Sequence, residues 1–407
     1  MNTNQPAKKD FLWNSYFVTC GVLCLVLWNS TLNLTDYFNV TLSSNISVYL
    51  TFSLALGQAF SFIVSPSLFS HLKYKTAIIV ALISAISSFV LIFVIIEWTS
   101  FLKFKIISTM TLIFVVGFFG SFFQSKSMGL AASISSEEIV YFNFGTGIAG
   151  FCLNLLAYIF NMLYPYDFDS DNKLHQLRCQ LKLYLVVVIC IFFFYFVLES
   201  FFELRFKDFL DTKIEHEIEE PFASEFNRPG DPEAINGLKV MRRSLDLLLG
   251  ILFQYVVTLT VISYFLATSY YKYDIDDNSW FTIPAYLFFF NLMDAIGKFM
   301  PPHTLITSFK KIHIWNFARF ALIIYFILIL EFNISIFLTS GLFRCIVFAL
   351  TGFWNGYFTN SFMSSAAGRF KSPAEKGLTG YFSVLFLLIG ISMGSFMGVM
   401  FTVDIVN

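Results

Sequence analysis

Residues 181–202 read Leu-Lys-Leu-Tyr-Leu-Val-Val-Val-Ile-Cys-Ile-Phe-Phe-Phe-Tyr-Phe-Val-Leu-Glu-Ser-Phe-Phe, and the hydrophilic stretch 203–243 follows at once. Only Lys182 and Glu199 are charged in the run, and both lie near its ends. A helix that crosses the hydrocarbon core of a bilayer needs about 20 apolar residues. Working outward from this run, comparable segments occur at 12–36, 46–70, 76–98, 106–128 and 139–163 before it. After the hydrophilic stretch they occur at 245–270, 281–301, 314–332, 335–362 and 378–403. Several carry Gly or Ser inside, which lets membrane helices approach closely. The expected fold is therefore an all-α polytopic membrane protein of eleven spans.

Composition agrees. Hydrophobic residues make up 57% of the 407 positions and charged residues 13%, against roughly 25% charge in a soluble domain. The 54 Phe and 19 Tyr suit lipid-facing and interfacial surfaces. A net charge of −1 gives no reason to expect a nucleic-acid partner. The polar start, Met1 to Asp10, lacks a small-residue cleavage site, so the first apolar segment is expected to stay as a membrane helix. The six Cys are scattered without a CxxC pair, and His71, His175, His216, His303 and His313 stand singly. Neither disulfides nor metal sites are expected, and no cofactor is.

The stretch 203–243 holds ten acidic and seven basic residues around Pro221, Pro229, Gly230 and Pro232. It divides the chain into a six-helix bundle at 1–202 and a five-helix bundle at 244–407. Two bundles joined this way can rock against each other around a central site; a single bundle with a tether is the plainer alternative. Lys and Arg in short loops, Lys8, Lys9, Lys73, Lys75, Lys310 and Lys311 among them, favour a cytoplasmic N-terminus and an extracellular C-terminus. The sequons at Asn39 and Asn45 then fall in the first outer loop, and that at Asn333 in another.

Charge at membrane depth is costly, so it faces the protein interior or a water-filled path. Asp294, Lys298, Arg319 and Arg344 are the candidates. Asp294 and Lys298 stand four apart, with Asn291 one turn earlier, so all three share a helix face. Opposite charges there neutralise each other and still offer hydrogen bonds to a polar, uncharged solute. The alternative is a structural ion pair that locks its helix to a neighbour through Arg319. Trp28 and Asn29 lie well inside the first span, where an indole stacks on a planar base or simply packs. Gln124 and Lys126 form a second polar pair, although Lys126 is also placed to snorkel to the interface. Gly145, Gly147 and Gly150 read as helix packing and not as a phosphate loop, because no strand precedes them.

Together these stretches resemble the equilibrative nucleoside transporter family. Trp354-Asn355-Gly356-Tyr357-Phe358, Met363, Pro373-Ala374-Glu375, Gly380, Gly390 and Gly394 follow that family's last two helices. Asn291 to Lys298, with Gly297, looks like its helix-eight motif, and Ala318-Arg319-Phe320 like its helix-nine start. Leu27-Trp28-Asn29, Asp36-Tyr37-Phe38, Gln124, the Gly145–Gly150 run and Thr258-Leu259 also fit. The chain departs from the family in carrying Lys298 where Arg is usual, which removes a bidentate fork. Leu27 stands where Pro is common, and Lys126 where a small polar residue is.

The resemblance implies a major-facilitator-like carrier, not an enzyme, working by alternating access as a uniporter or coupled to protons. Its implied cargo is nucleosides or nucleobases, its implied place the plasma membrane, and one chain the transport unit. By the same resemblance Trp28 and Asn29 border the base, Gln124 hydrogen-bonds it, Asp294 with Lys298 engages the ribose hydroxyls, and Leu25 and Ile391 add apolar walls. Arg319, Arg344, Asn355, Gly145, Gly150, Gly297 and Lys126 are expected in structural or gating roles. A carrier of sugars or another small polar solute on the same fold is the rival reading. Lys126, Asp294 and Glu199 are the groups through which protons would couple.

Overall fold

The computed structural model describes residues 11–42, 46–68, 74–163, 170–210, 237–272, 283–300, 309–321, 324 and 341–406. Asn45, Asn333, His71, His216, His303, most of the expected ninth span and the proline-bearing middle of the linker lie outside those residues. The described chain is helical throughout. In order the helices are α1 (Phe11–Asn33), α2 (Thr35–Thr41), α3 (Ile46–Leu68), α4 (Tyr74–Trp98), α5 (Leu102–Ile134) and α6 (Ser136–Leu163). They continue as α7 (Ser170–Leu210), α8 (Gly237–Lys272), α9 (Ile283–Phe299), α10 (Phe309–Ala318), α11 (Gly341–Gly368) and α12 (Pro373–Val406). Among the described residues, seven helices are long and apolar enough to cross a membrane: α1, α4, α5, α6, α7, α8 and α12. Each remaining apolar segment overlaps α3, α9, α10 or α11.

Helix bounds differ from the hydropathy reading where polar residues extend apolar runs. The first span breaks at Leu34, and α2 follows as a separate short helix. On either side of the linker α7 continues to Leu210 and α8 begins at Gly237, because helix geometry outlasts the hydrocarbon-compatible stretch. At the α5–α6 junction extended Ser135 caps α6: its hydroxyl oxygen accepts the Glu137 N–H at 3.2 Å and its O–H donates to Glu138. Pro373 opens α12 in the first turn, where its missing N–H costs nothing.

The helices are apolar on all sides, as lipid-embedded helices are. Along α7, Tyr184, Val188, Phe192, Tyr195 and Phe202 are buried, while Val186, Ile189, Phe193, Phe194 and Phe201 are exposed to the surroundings. No hydrophobic drive separates these two faces in lipid, so close backbone approach must hold the bundle together. Glycine supplies it. A Cβ on Gly21 or Gly145 would strike the facing carbonyl of α6 or α1, and one on Gly297, Gly352 or Gly356 would strike the backbone across the α9–α11 seam. Helices before and after the linker meet through aromatic side chains, Phe62 with Tyr381 and Phe144 with Phe299 among them, and through glycines. Gly147 and Gly150 of α6 press against Ala295 and Asn291 of α9, and Gly129 of α5 faces Gly377 of α12.

Gly297→Val forces a branched side chain into the Phe353 carbonyl of α11. We expect a loss of about 1–3 kcal/mol, read as a lower Tm of detergent-solubilised protein. Gly368→Ala, which meets nothing within 4 Å, should leave the Tm in place.

Candidate functional site

The expected polar residues gather at two places. The first lies on α9. Lys298 Nζ stands 2.7 Å from Asp294 Oδ2, and both side chains are 5% exposed. The other carboxylate oxygen, Oδ1, accepts from Asn355 Nδ2 at 2.8 Å. Asn355 reaches it because Gly356 lets α11 lie against the Asp294 carbonyl. Its own Oδ1 is held in turn from α8, by Gln254 Nε2 at 3.2 Å and the Thr258 hydroxyl at 3.0 Å. Gln254 also donates to the Thr359 hydroxyl at 2.6 Å. Arg319 closes the chain: Nη2 donates to Thr258 Oγ1 at 2.6 Å, and the guanidinium sits 5.9 Å over the Phe358 ring.

Asp294 is therefore held by Lys298 and Asn355, and the hydrogen bonds from Arg319 reach it through Thr258 and Asn355. Arg319 is 6% exposed, and its Nε and Nη1 have no hydrogen-bond partner. One buried anion thus stands with two buried cations in this cluster. Below the pair, Asn360 Nδ2 donates to the carbonyls of Lys298 at 3.0 Å and Met300 at 2.9 Å, satisfying groups that the end of α9 leaves open. Asn143 of α6 donates to Asn360 across the two sets of helices at 3.4 Å.

The second place is a cavity of about 20 Å³ whose lining includes Trp28, Cys24, Gln58, Ser121 and Gln124. It holds roughly one water, so a nucleoside enters only when helices part. None of its described lining residues belongs to α8–α12. Trp28 also borders a second, smaller cavity with Thr31, Thr35 and Leu50. In this conformation the Trp28–Gln124 set and the Asp294–Lys298 set are not brought together around one space.

The other expected residues divide. The Asn29 amide donates to the Leu25 carbonyl at 3.0 Å on its own helix, and it is not among the residues lining the cavity. Leu25 and Ile391 are partly buried and pack on the core. Asn291 donates to Leu287 at 2.8 Å and abuts Gly150. Lys126 turns away from Gln124 and lies 5.8 Å over the Phe122 ring. Arg344 is buried on α11 beside Tyr286 of α9. Glu199 is partly buried, close to Tyr16 and Tyr195. Among the described residues no His, Cys, Asp and Glu cluster suits a metal ion.

Sequence reasoning passed over Gln254, Thr359, Asn360, Asn143 and Gln58. Each is an uncharged polar residue inside an apolar run, the same signal that singled out Gln124, but without a charged residue beside it. Their partners lie up to 217 positions away, which no spacing rule reaches.

A model of the nucleoside transporter family matches residues 110–403. The chain belongs to the nucleoside transporter family. Membership makes it a transmembrane carrier of nucleosides, and not an enzyme. This nucleoside transporter family member also superposes on the partially occluded, inward-open xylose transporter XylE from E. coli. The TM-score is 0.55 at 14% identity, over 97% of this chain and 99% of that one. At that identity the likeness establishes the fold, the major-facilitator type. No curated protein matches the chain.

Removing one member of a buried ion pair strands the other charge, a loss of about 3–5 kcal/mol. Asp294→Leu should accordingly lower the Tm steeply, and Asp294→Leu with Lys298→Met should recover most of it. A double variant no better than the single one would show that Lys298 does not depend on Asp294.

Proposed function

We propose that the chain moves nucleosides or nucleobases across the bilayer by alternating access, with Trp28 and Gln124 on the base side and Asp294 with Lys298 on the ribose side. The observation that carries this reading is the buried Asp294–Lys298 pair, four residues apart on one face of α9. A purely structural pair would be cheaper as packed hydrophobic residues. Opposite charges that offset each other and still present hydrogen-bonding oxygens and ammonium hydrogens suit a neutral, hydroxyl-bearing solute.

The finer arrangement is eleven spans in a 6+5 order, with bundles at 1–202 and 244–407, the N-terminus cytoplasmic, the C-terminus extracellular, and the plasma membrane as the site. Ion pairs at helix ends fit the up-and-down alternation of these spans, and the choice of cytoplasmic side rests on the Lys and Arg of the short loops. Lys75–Glu203 and Arg369–Asp246 both fall at ends that this orientation places in the cytoplasm, whereas Arg178–Glu97 falls at the opposite end. Nothing favours a sugar as cargo over a nucleoside. Gly147 and Gly150 against α9, with Gly129 against Gly377, are the sliding surfaces on which rocking would act.

Cells expressing the chain should show saturable uptake of labelled inosine, adenosine or a pyrimidine nucleoside. Asp294→Asn should remove most of it while surface biotinylation still detects the protein, and normal uptake by that variant would refute the ribose-side assignment. An epitope added after Asn407 should stain on intact cells; staining only after permeabilisation would reverse the orientation.

A further inference from the structure

The cavity beside Trp28 contains a carboxamide that no spacing rule marked. Gln58 lies on α3, is 9% exposed, and its Oε1 has no hydrogen-bond partner. It lines the same cavity as Trp28 and Gln124, with the unpartnered hydroxyl of Ser121 beside it. Buried polar groups in native proteins are almost always hydrogen-bonded, and the exceptions call for a reason. The requirement is stricter in a bundle where lipid offers no substitute partner. An amide oxygen needs a donor, and the backbone N–H groups inside a helix are already engaged, so the Gln58 acceptor has to be met from elsewhere. Gln58 lines the cavity shared with Trp28 and Gln124 while its acceptor is unmet.

We propose that Gln58 is a specificity-determining residue that, with Gln124, reads the hydrogen-bonding edge of the substrate's base. The inference rests on the nucleoside reading above and adds to it which part of the cargo is recognised here. A carboxamide presents a donor beside an acceptor in one plane, the complement of adjacent acceptor and donor groups on a base. Two carboxamides from α3 and α5, next to an indole that can cover the ring face, form a slot for a flat polar heterocycle. They do not match a sugar, whose hydroxyls point out of any single plane. A site that hydrogen-bonds a substrate group discriminates strongly against the analogue lacking it, because its own polar groups are then left unmet.

The test compares uptake of inosine with that of purine riboside, which lacks the 6-oxygen and the N1 hydrogen, in wild type and in Gln58→Met. Methionine keeps the volume and removes the carboxamide. The KM for inosine should rise about ten-fold, the worth of one net hydrogen bond, while the KM for purine riboside stays within about two-fold. Equal changes for both substrates, or none for either, overturn the proposal and leave Gln58 as filler. Should Gln58→Met fail to reach the membrane, Gln58→Asn, with the same group on a shorter stem, must still shift inosine alone. A wild-type protein that takes up neither compound refutes the nucleoside reading itself and not the role of Gln58 within it.

Discussion

The constraint on which the C-terminal helices depend is the burial of a carboxylate where neither water nor lipid can solvate it. Asp294 survives there because Lys298 offsets its charge and Asn355 occupies its second oxygen. Bringing Asn355 that close requires α9 and α11 to touch backbone to backbone, which Gly297, Gly352 and Gly356 permit. Holding the Asn355 amide in the donating orientation requires acceptor and donor roles to be fixed from behind, and Gln254 and Thr258 fix them. Thr258 is set in turn by Arg319. Residues on α8, α9, α11 and the end of α10 thus act as one hydrogen-bonded unit, in which a change at any link reorients the carboxylate. A satisfied network of this kind is worth more than the sum of its pairs, and here Gln254 Oε1 and Arg319 Nε and Nη1 are left without a hydrogen-bond partner.

The N-terminal helices solve a different problem. Their interior is mostly aromatic and aliphatic, and polar atoms occur singly. Trp13 donates to buried Glu138 at 2.9 Å, while Tyr37 and Arg178 converge on Glu97 at 2.7 and 3.0 Å. These contacts sit at the two ends of the helices and leave the middle to the Trp28 cavity. Rigidity at both ends with a small polar space between them is what a bundle needs if it is to move as a body. The two sets of helices then touch through small residues, Gly147 on Ala295 and Gly129 on Gly377, and through the long Asn143–Asn360 bond. Aromatic pairs cross the same boundary, Phe62 with Tyr381, Phe144 with Phe299 and Phe151 with Phe288, so any sliding must also move large side chains.

Much of this was legible in the sequence because a bilayer reduces the choices. Twenty apolar residues in a row have few fates, so the segments around α1, α4 to α8 and α12 could be read from hydropathy alone. Asp294 and Lys298 stood out because charge in such a run is rare, and their spacing placed them on one face. The Gly145–Gly150 run announced packing, but not that Gly145 faces α1 while Gly150 faces α9; three glycines within six residues point in different directions around a helix, and only the neighbours decide. Hydropathy misplaced helix ends, as at Leu34 and Leu210, because the bilayer limits the apolar stretch and not the helix. It was blind to Gln254, Thr359 and Gln58, since one polar residue leaves the mean hydropathy of a whole span high. The pairing of Gln124 with Lys126 was a matter of sequence proximity: two residues apart on a helix, they point about 200° apart, one into the cavity and the other along Phe122.

Arg319 shows how far the balance of charge constrains the chemistry. With Asp294 already neutralised by Lys298, a second cation, the Arg319 guanidinium at 6% exposure, leaves an excess of positive charge in this cluster. The Phe358 ring beneath it, 5.9 Å away, and the Thr258 hydroxyl offset part of that cost. Neither removes the charge. On the proposed assignment, a cluster with this bias would favour solutes that bring oxygen lone pairs and would disfavour cations. Neutral nucleosides, rich in hydroxyl and carbonyl oxygens, fall on the favoured side. On the proposed assignment the base would be read by uncharged amides before Trp28, and the ribose by the charged cluster on α9, so that neither set of helices alone could hold the whole molecule. Binding strong enough to matter would then require both sets to close on it, and that requirement is what would couple occupancy to the movement of one bundle against the other.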